Sequence, residues 1–192
     1  MTGTEETPRG SPLKGRLVVA TPRLDDPNFY RCVVLVVEHG DDGALGLVVN
    51  RASTIDVDAP LSSWRGLVSP PVVLFTGGPV GQVAVIALAR ITGSTPAGAF
   101  QSIVGDIGVL DLTVSTDTVR GAIGDLRIFT GYAGWGGGQL EAEIAHGGWF
   151  VVDAEPGDAF ASGPDELWRA VLRRQPPPLR GYALYPADPS TN

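Results

Sequence analysis

Short apolar runs, cut by glycine, proline and acidic residues, follow one another along the chain. Runs of this kind that are rich in β-branched residues read as strands rather than helices. Residues 16–20 form one, ended by Pro22. Residues 29–38 form a second, read as a buried strand, and residues 44–50 form a third. The Gly40-Asp41-Asp42-Gly43 stretch between them carries turn chemistry, so the pair predicts a hairpin. Residues 56–67 are weakly helical through Leu61, Trp64 and Leu67. Runs at 72–75 and 83–90 flank Gly77-Gly78-Pro79, residues 92–99 read as a loop, and residues 107–114 alternate as a strand with one drier face. Ser115 or Thr116 caps a short helix to about Ile123, with Asp117 in its first turn. Residues 126–132 form a strand that leads into a glycine-rich bend, Gly134 to Gly138, and then a helix over 139–146. A strand at 149–153 follows. Start signals at Ser162, Pro164, Asp165 and Glu166 open a helix that runs to about Arg174 and stops at Pro176-Pro177-Pro178. Strands outnumber helices without alternating with them, which predicts an α+β fold with mostly antiparallel pairing. Residues 1–13 read as a flexible tail, ahead of a single domain over 14–192.

Composition narrows the function classes. The 192 residues are 43% hydrophobic and 18% charged, with 26 Gly and 16 Pro. That is apolar enough to build a core and loop-rich without being low in complexity. The formal net charge is −7 and the pI about 4.7. Lys14 is the sole lysine. Duplex DNA binding needs a basic face that displaces counterions, so this balance argues against direct DNA contact, and equally against an anionic membrane surface. The longest apolar runs, 32–37 and 83–89, are far too short to span a bilayer. Cys32 is the only cysteine, which excludes an internal disulfide. A reducing, cytoplasmic setting is the consistent expectation.

Candidate chemistry is sparse. Glu38-His39 sits where a strand becomes a turn and reads as an acid/base pair, half a metal site, or plain turn structure. His146 is the other histidine, and the spacing of neither matches a metal motif, so no metal is expected. Cys32 lies in an apolar run, where burial raises a thiol's pKa and blunts it as a nucleophile. There is no Gly-x-Ser-x-Gly elbow and no P-loop, and no cofactor is expected. Gly134-Trp135-Gly136-Gly137-Gly138 opens a helix as a phosphate cradle would, but no lysine follows and Glu141 would repel an anion. Asp25, Asp26 and Arg31 read as a local polar cluster. Asn50-Arg51 ends a strand and reads as an anion contact or a cap on the sheet end.

Several segments carry a family resemblance. Gly15-Arg16-Leu17-Val18-Val19-Ala20-Thr21-Pro22, Asp26-Pro27-Asn28-Phe29-Tyr30-Arg31, Glu38-His39 and Gly43-Ala44-Leu45-Gly46-Leu47-Val48-Val49-Asn50-Arg51 occur in that order. Gly77-Gly78-Pro79-Val80 and Gly131-Tyr132-Ala133-Gly134-Trp135-Gly136-Gly137-Gly138-Gln139-Leu140-Glu141 follow, with Trp149 beyond. Together they resemble the YqgE/AlgH family (DUF179, the UPF0301 proteins), and the tail from Tyr185 is similar to an actinobacterial branch. The resemblance implies a bacterial protein whose sheet curls into a pseudo-barrel with flanking helices. It implies no known activity and no catalytic residue. One branch is linked by name to regulation of alginate production in pseudomonads, so a transcriptional-regulator label attaches to it without a mechanism. Many members carry Asp-Arg-Gly-Phe and a histidine after Gly-Gly-Pro, where this chain has Gly81-Gln82-Val83-Ala84.

These readings favour a non-enzymatic binding or regulatory module for a protein or small-molecule partner. Its expected binding residues are Tyr132, Trp135, Gly138 and Glu141 around the glycine-rich bend, with Glu38, His39, Asn50 and Arg51 on the hairpin. The alternative is a small enzyme that uses Glu38, His39, Asn50 and Arg51. In a flat hairpin those pairs lie at opposite ends, roughly 20 Å apart at about 3.3 Å per residue, so the alternative requires the hairpin to curl or a second copy to complete the site.

Overall fold

One long strand, β9 (Ile123–Gly136), belongs to both halves of the sheet and organises the molecule. The computed structural model describes residues 13–24 and 26–186. In the first half, β1 (Arg16–Ala20), β2 (Val33–Gly40) and β3 (Gly43–Val48) form an antiparallel meander, and β10 (Trp149–Asp153) returns to the outer edge of β1. The second half holds β4 (Ala52–Asp56), β5 (Val73–Thr76), β6 (Val80–Ile91), β7 (Phe100–Val104) and β8 (Ile107–Leu110). Strand β9 pairs with β6 from Ile123 to Tyr132, then with β3 from Ala133 to Gly136. The result is a mostly antiparallel sheet curled into a half-barrel, with β5–β9 a parallel pair. Helices α1 (Thr116–Val119), α2 (Gln139–Ala145) and α3 (Leu167–Arg173) complete it. None of the described helices is long and apolar enough to cross a membrane.

Three glycines let the chain change sides of β9. Thr130 pairs with Thr76 of β5 on one edge and with Val85 of β6 on the other. Gly77-Gly78-Pro79 therefore carries the backbone across β9. A Cβ at Gly78 would lie 2.2 Å from the Tyr132 carbonyl carbon, and one at Gly77 would lie 2.3 Å from the Gly131 oxygen. Gly131 sits at φ +71, with its own Cβ position 2.6 Å from the Gly78 oxygen. Only glycine combines that φ with such close backbone approach.

Both faces of the first half are covered, which explains why β1 reads as a continuous apolar run rather than an alternating one. Leu17, Val19 and Leu35 pack with Leu167, Trp168, Val171 and Leu172 of α3. Val18, Val34 and Val36 pack with Trp135, Leu140 and Trp149 under α2. A third cluster joins Trp64, Ala87, Leu126 and Ile128. Arg127 is wholly buried in the second half. Its guanidinium donates to the carbonyls of Pro70, Ala159 and Ala161 and lies 4.1 Å over the Phe75 ring. Burial pulls its pKa down to about 10, because removing a cation from water favours the neutral form.

The structure corrects several local expectations. Residues 29–31 are turn, and β2 starts only at Val33. The weakly helical 56–67 stretch is the end of β4 followed by a 3-10 turn, Ser62–Leu67. Strand β7 was not anticipated, since Phe100–Val104 alternates only briefly and is largely exposed. The helix expected up to Ile123 is the single turn α1, with no side-chain cap bond. Residues 134–136 continue β9 because β3 pairs with them, so the glycine-rich bend narrows to Gly137-Gly138. Nearly all of the 1–13 tail, Asp25 and the segment from 187 onward lie outside the described residues.

Candidate functional site

The β2–β3 hairpin has two chemically different ends, and the eight candidate residues divide between them. At the turn end, α2 stacks against the strands. His39 Nδ1 accepts from the Leu13 amide at 3.2 Å, which leaves Nε2–H to donate to Glu141 Oε1 at 2.7 Å. The Glu141 carboxyl is held below its ordinary value chiefly by its own backbone N–H; burial opposes this, and His39 adds further lowering. Trp135 is only 6% exposed. It stacks on Phe29 at 6.2 Å and meets Trp149 edge-on at 5.9 Å. The indole N–H groups of Trp135 and Trp149 both donate to Glu143 Oε2, at 3.0 and 2.8 Å, while Gln139 donates to Oε1. Gly138 opens α2 at φ +74. Tyr132 is half-buried beside Gly81 and Gly134, and Glu38 is exposed. The Trp135 indole that the sequence offers as an anchor is thus a core side chain, and its polar handle is taken by Glu143.

At the open end, the loop before β2 and the loop after β3 form a cleft of about 210 Å³. Tyr30, Arg31, Cys32, Asn50, Arg51, Ala52 and Asp165 line it. Arg31 adopts φ +52, a left-handed conformation that is costly for a side chain with a Cβ. Asn50 holds it there: Oδ1 accepts from the Val33 amide at 2.8 Å and Nδ2 donates to the Arg31 carbonyl at 2.9 Å. The Arg31 guanidinium lies 4.7 Å over the Trp168 ring and donates to the Tyr185 carbonyl at 2.6 Å. Arg51 donates to the Asn28 carbonyl at 2.6 Å. Cys32 is buried beneath, its thiol against the Asn28 carbonyl at 3.5 Å. Desolvation pushes its pKa up to about 11, although Arg51 acts in the opposite direction. A neutral, covered thiol is a packing group and not a nucleophile.

Glu38 and His39 therefore do not meet Asn50 and Arg51 within one chain. The curl of the sheet does not close the length of the hairpin: His39 is bonded to Leu13 and Glu141 at one end, and Asn50 and Arg51 to the 28–33 segment at the other. Sequence reasoning placed Asn50 and Arg51 and named Arg31 only in a local polar cluster, and it gave Tyr30 and Asp165 no part in a site. Tyr30 and Asp165 resemble any strand aromatic and any helix-start acid. The positive φ of Arg31 leaves no trace in residue type.

The AlgH-like DUF179 family model matches residues 17–180. A UPF0301 protein of Streptomyces avermitilis is 48% identical over 187 residues, covering 95% of this chain and 96% of its own. A crystal structure of a Corynebacterium diphtheriae protein superposes with a TM-score of 0.86 at 29% identity, over 93% of this chain and 95% of that one. The solution structure of the AlgH protein of Pseudomonas aeruginosa, a UPF0301 protein, does so with a TM-score of 0.68 at 29% identity, over 88% and 92%. With the family model spanning nearly all of the sheet and a relative this similar along its whole length, the chain belongs to the AlgH-like DUF179 family, the UPF0301 proteins.

Proposed function

We propose that this protein is a cytoplasmic, non-enzymatic binding module with a regulatory role, and that its small-molecule seat is the cleft between the Asn28–Cys32 loop and Asn50–Arg51. One observation carries the reading. A non-glycine residue, Arg31, is kept in a strained backbone conformation by a neighbouring side chain, at the wall of an open polar cleft. Strain of that kind persists where the surroundings fix it, and it recurs at ligand seats that must be rigid before the ligand arrives. Two of the groups that could have acted as nucleophile or base are committed elsewhere, Cys32 to the core and His39 to Leu13 and Glu141. Direct DNA contact is not part of this reading, given the net charge of −7.

A library of small polar fragments, followed through backbone amide chemical shifts, tests the seat. Saturable shifts are expected at residues 28–33, 50–52 and 165. Shifts confined to the turn end around Gly138 and Glu141 would move the seat there, and the absence of any saturable site would overturn the module.

A further inference from the structure

We infer that the ligand of this cleft carries a compact oxyanion, a carboxylate or a phosphate, received by the Arg31 and Arg51 guanidinium groups. The inference rests on the cleft being the seat and adds the ligand's chemistry. Its basis is how arginines are paired across the molecule. Among the described residues four other arginines are half-buried, and each has a carboxylate within 4 Å: Arg16 with Asp153, Arg90 with Asp125, Arg169 with Glu166, and Arg174 with Asp158 and Glu155. Arg31 and Arg51 are also half-buried, yet among the described residues neither makes an ion pair. Each has a single carbonyl partner, Tyr185 and Asn28 respectively.

A guanidinium has five N–H donors in a planar fork that suits carboxylate and phosphate. One carbonyl apiece leaves most of those donors unused, on cations already partly removed from water. Such a cation is stabilised by any anion that can reach it. Two of them on one cleft, in a chain with seven more negative than positive charges, mark the place where the missing negative charge comes from a ligand. The Trp168 ring beneath Arg31 and the Asn50 clamp on its backbone fix one fork in advance. Negative charge near the cleft comes from Asp26, which acts on Cys32, and from the exposed carboxylate of Asp165 on its rim. It lowers affinity for a bare anion and favours one that bears a neighbouring hydroxyl or ammonium.

The test is titration of the intact protein with inorganic phosphate, succinate and the neutral succinamide at constant ionic strength, read through backbone amides and arginine Nε–H signals. Phosphate or succinate, whichever source of oxyanion fits, is expected to shift residues 28–33 and 50–52 saturably, and succinamide is not. Arg51→Gln should weaken the effect about tenfold, as expected for loss of a charge-assisted pair. Asp165→Asn should strengthen it about threefold, the size of an exposed charge interaction, in a protein with an unchanged melting temperature. If uncharged fragments occupy the cleft while phosphate and succinate do not, the oxyanion inference falls and the binding module stands. The inference also falls if both anions act equally on wild type and Arg51→Gln, or act only at the exposed Arg23, Arg120, Arg173 and Arg180.

Discussion

The two ends of the β2–β3 hairpin handle charge in opposite ways. At the turn end two carboxylates of α2 have found their complements inside the molecule: Glu143 takes three donors, two of them indoles, and Glu141 holds His39. At the cleft end two half-buried cations have one carbonyl each and no carboxylate among the described residues, with Arg31 also over the Trp168 ring and held in a strained backbone conformation. The motif with more aromatic and glycine residues is the closed one. Residues that look like recognition chemistry in sequence can be the ones a fold has used up, and an open site is found by asking which charges remain unanswered.

The comparison can be broken first at the closed end. Trp135→Ala leaves a large cavity between Phe29 and Trp149 and should cost about 3–5 kcal/mol, read by urea denaturation. A variant as stable as wild type would show that the indole is not structural. Glu143→Ala strands two indole N–H groups and should cost about 2 kcal/mol, with Trp fluorescence reporting the exposed indoles. The cleft end is sharpened by Arg31→Gly against Arg31→Ala. Both remove the guanidinium, but only glycine relieves the left-handed backbone, so the glycine variant should be more stable by about 1 kcal/mol. Equal stabilities would mean that the φ of +52 carries no strain.

Two pH experiments follow with smaller effects. Cys32 has its pKa raised to about 11 in the folded state by burial. Its contribution is therefore complete below the unfolded thiol's pKa and is lost as pH rises towards the folded value. Wild type should lose stability relative to Cys32→Ala between about pH 9 and 11, seen in paired thermal melts. Glu141 has a lowered pKa, so its contribution is present above the ordinary carboxylate range and is lost as pH falls through the folded value. The melting-temperature gap between wild type and Glu141→Gln should shrink on acidification. A constant gap would remove His39–Glu141 from the closed end's accounting.

Much of the architecture was legible because it rests on local signals. The Asp41-Asp42-Gly43 turn marked the hairpin, the apolar run at 16–20 marked β1, and the prolines after Arg174 marked the end of α3. What could not be read depended on distant partners. Residues 134–136 look like a bend by composition and become strand only because β3 lies alongside. Trp135 looks like an anchor until Glu143, Trp149 and Phe29 close over it. Half of the cleft, Asn50 and Arg51, was visible as the polar end of a strand. The other half depends on a backbone angle at Arg31 and on Trp168 and Tyr185 arriving from the far end of the chain.

The sharing of β9 between both halves also sets the order in which this molecule can be made. During synthesis the chain emerges from its N-terminus, so the β1–β3 meander and the β6–β8 strands leave the ribosome with only their local neighbours to pair with. No strand of one set pairs with a strand of the other until Ile123–Gly136 emerges, and the outer edge of β1 waits longer still, for Trp149–Asp153. Pairings this distant in sequence form slowly, and strand edges left open meanwhile are prone to the wrong partner. A nascent chain halted before Ile123 would hold two sets of strands not paired with each other, with Phe75 and Leu88 lacking the Phe129 they pack with. It should therefore depend on a holding chaperone until β9 arrives.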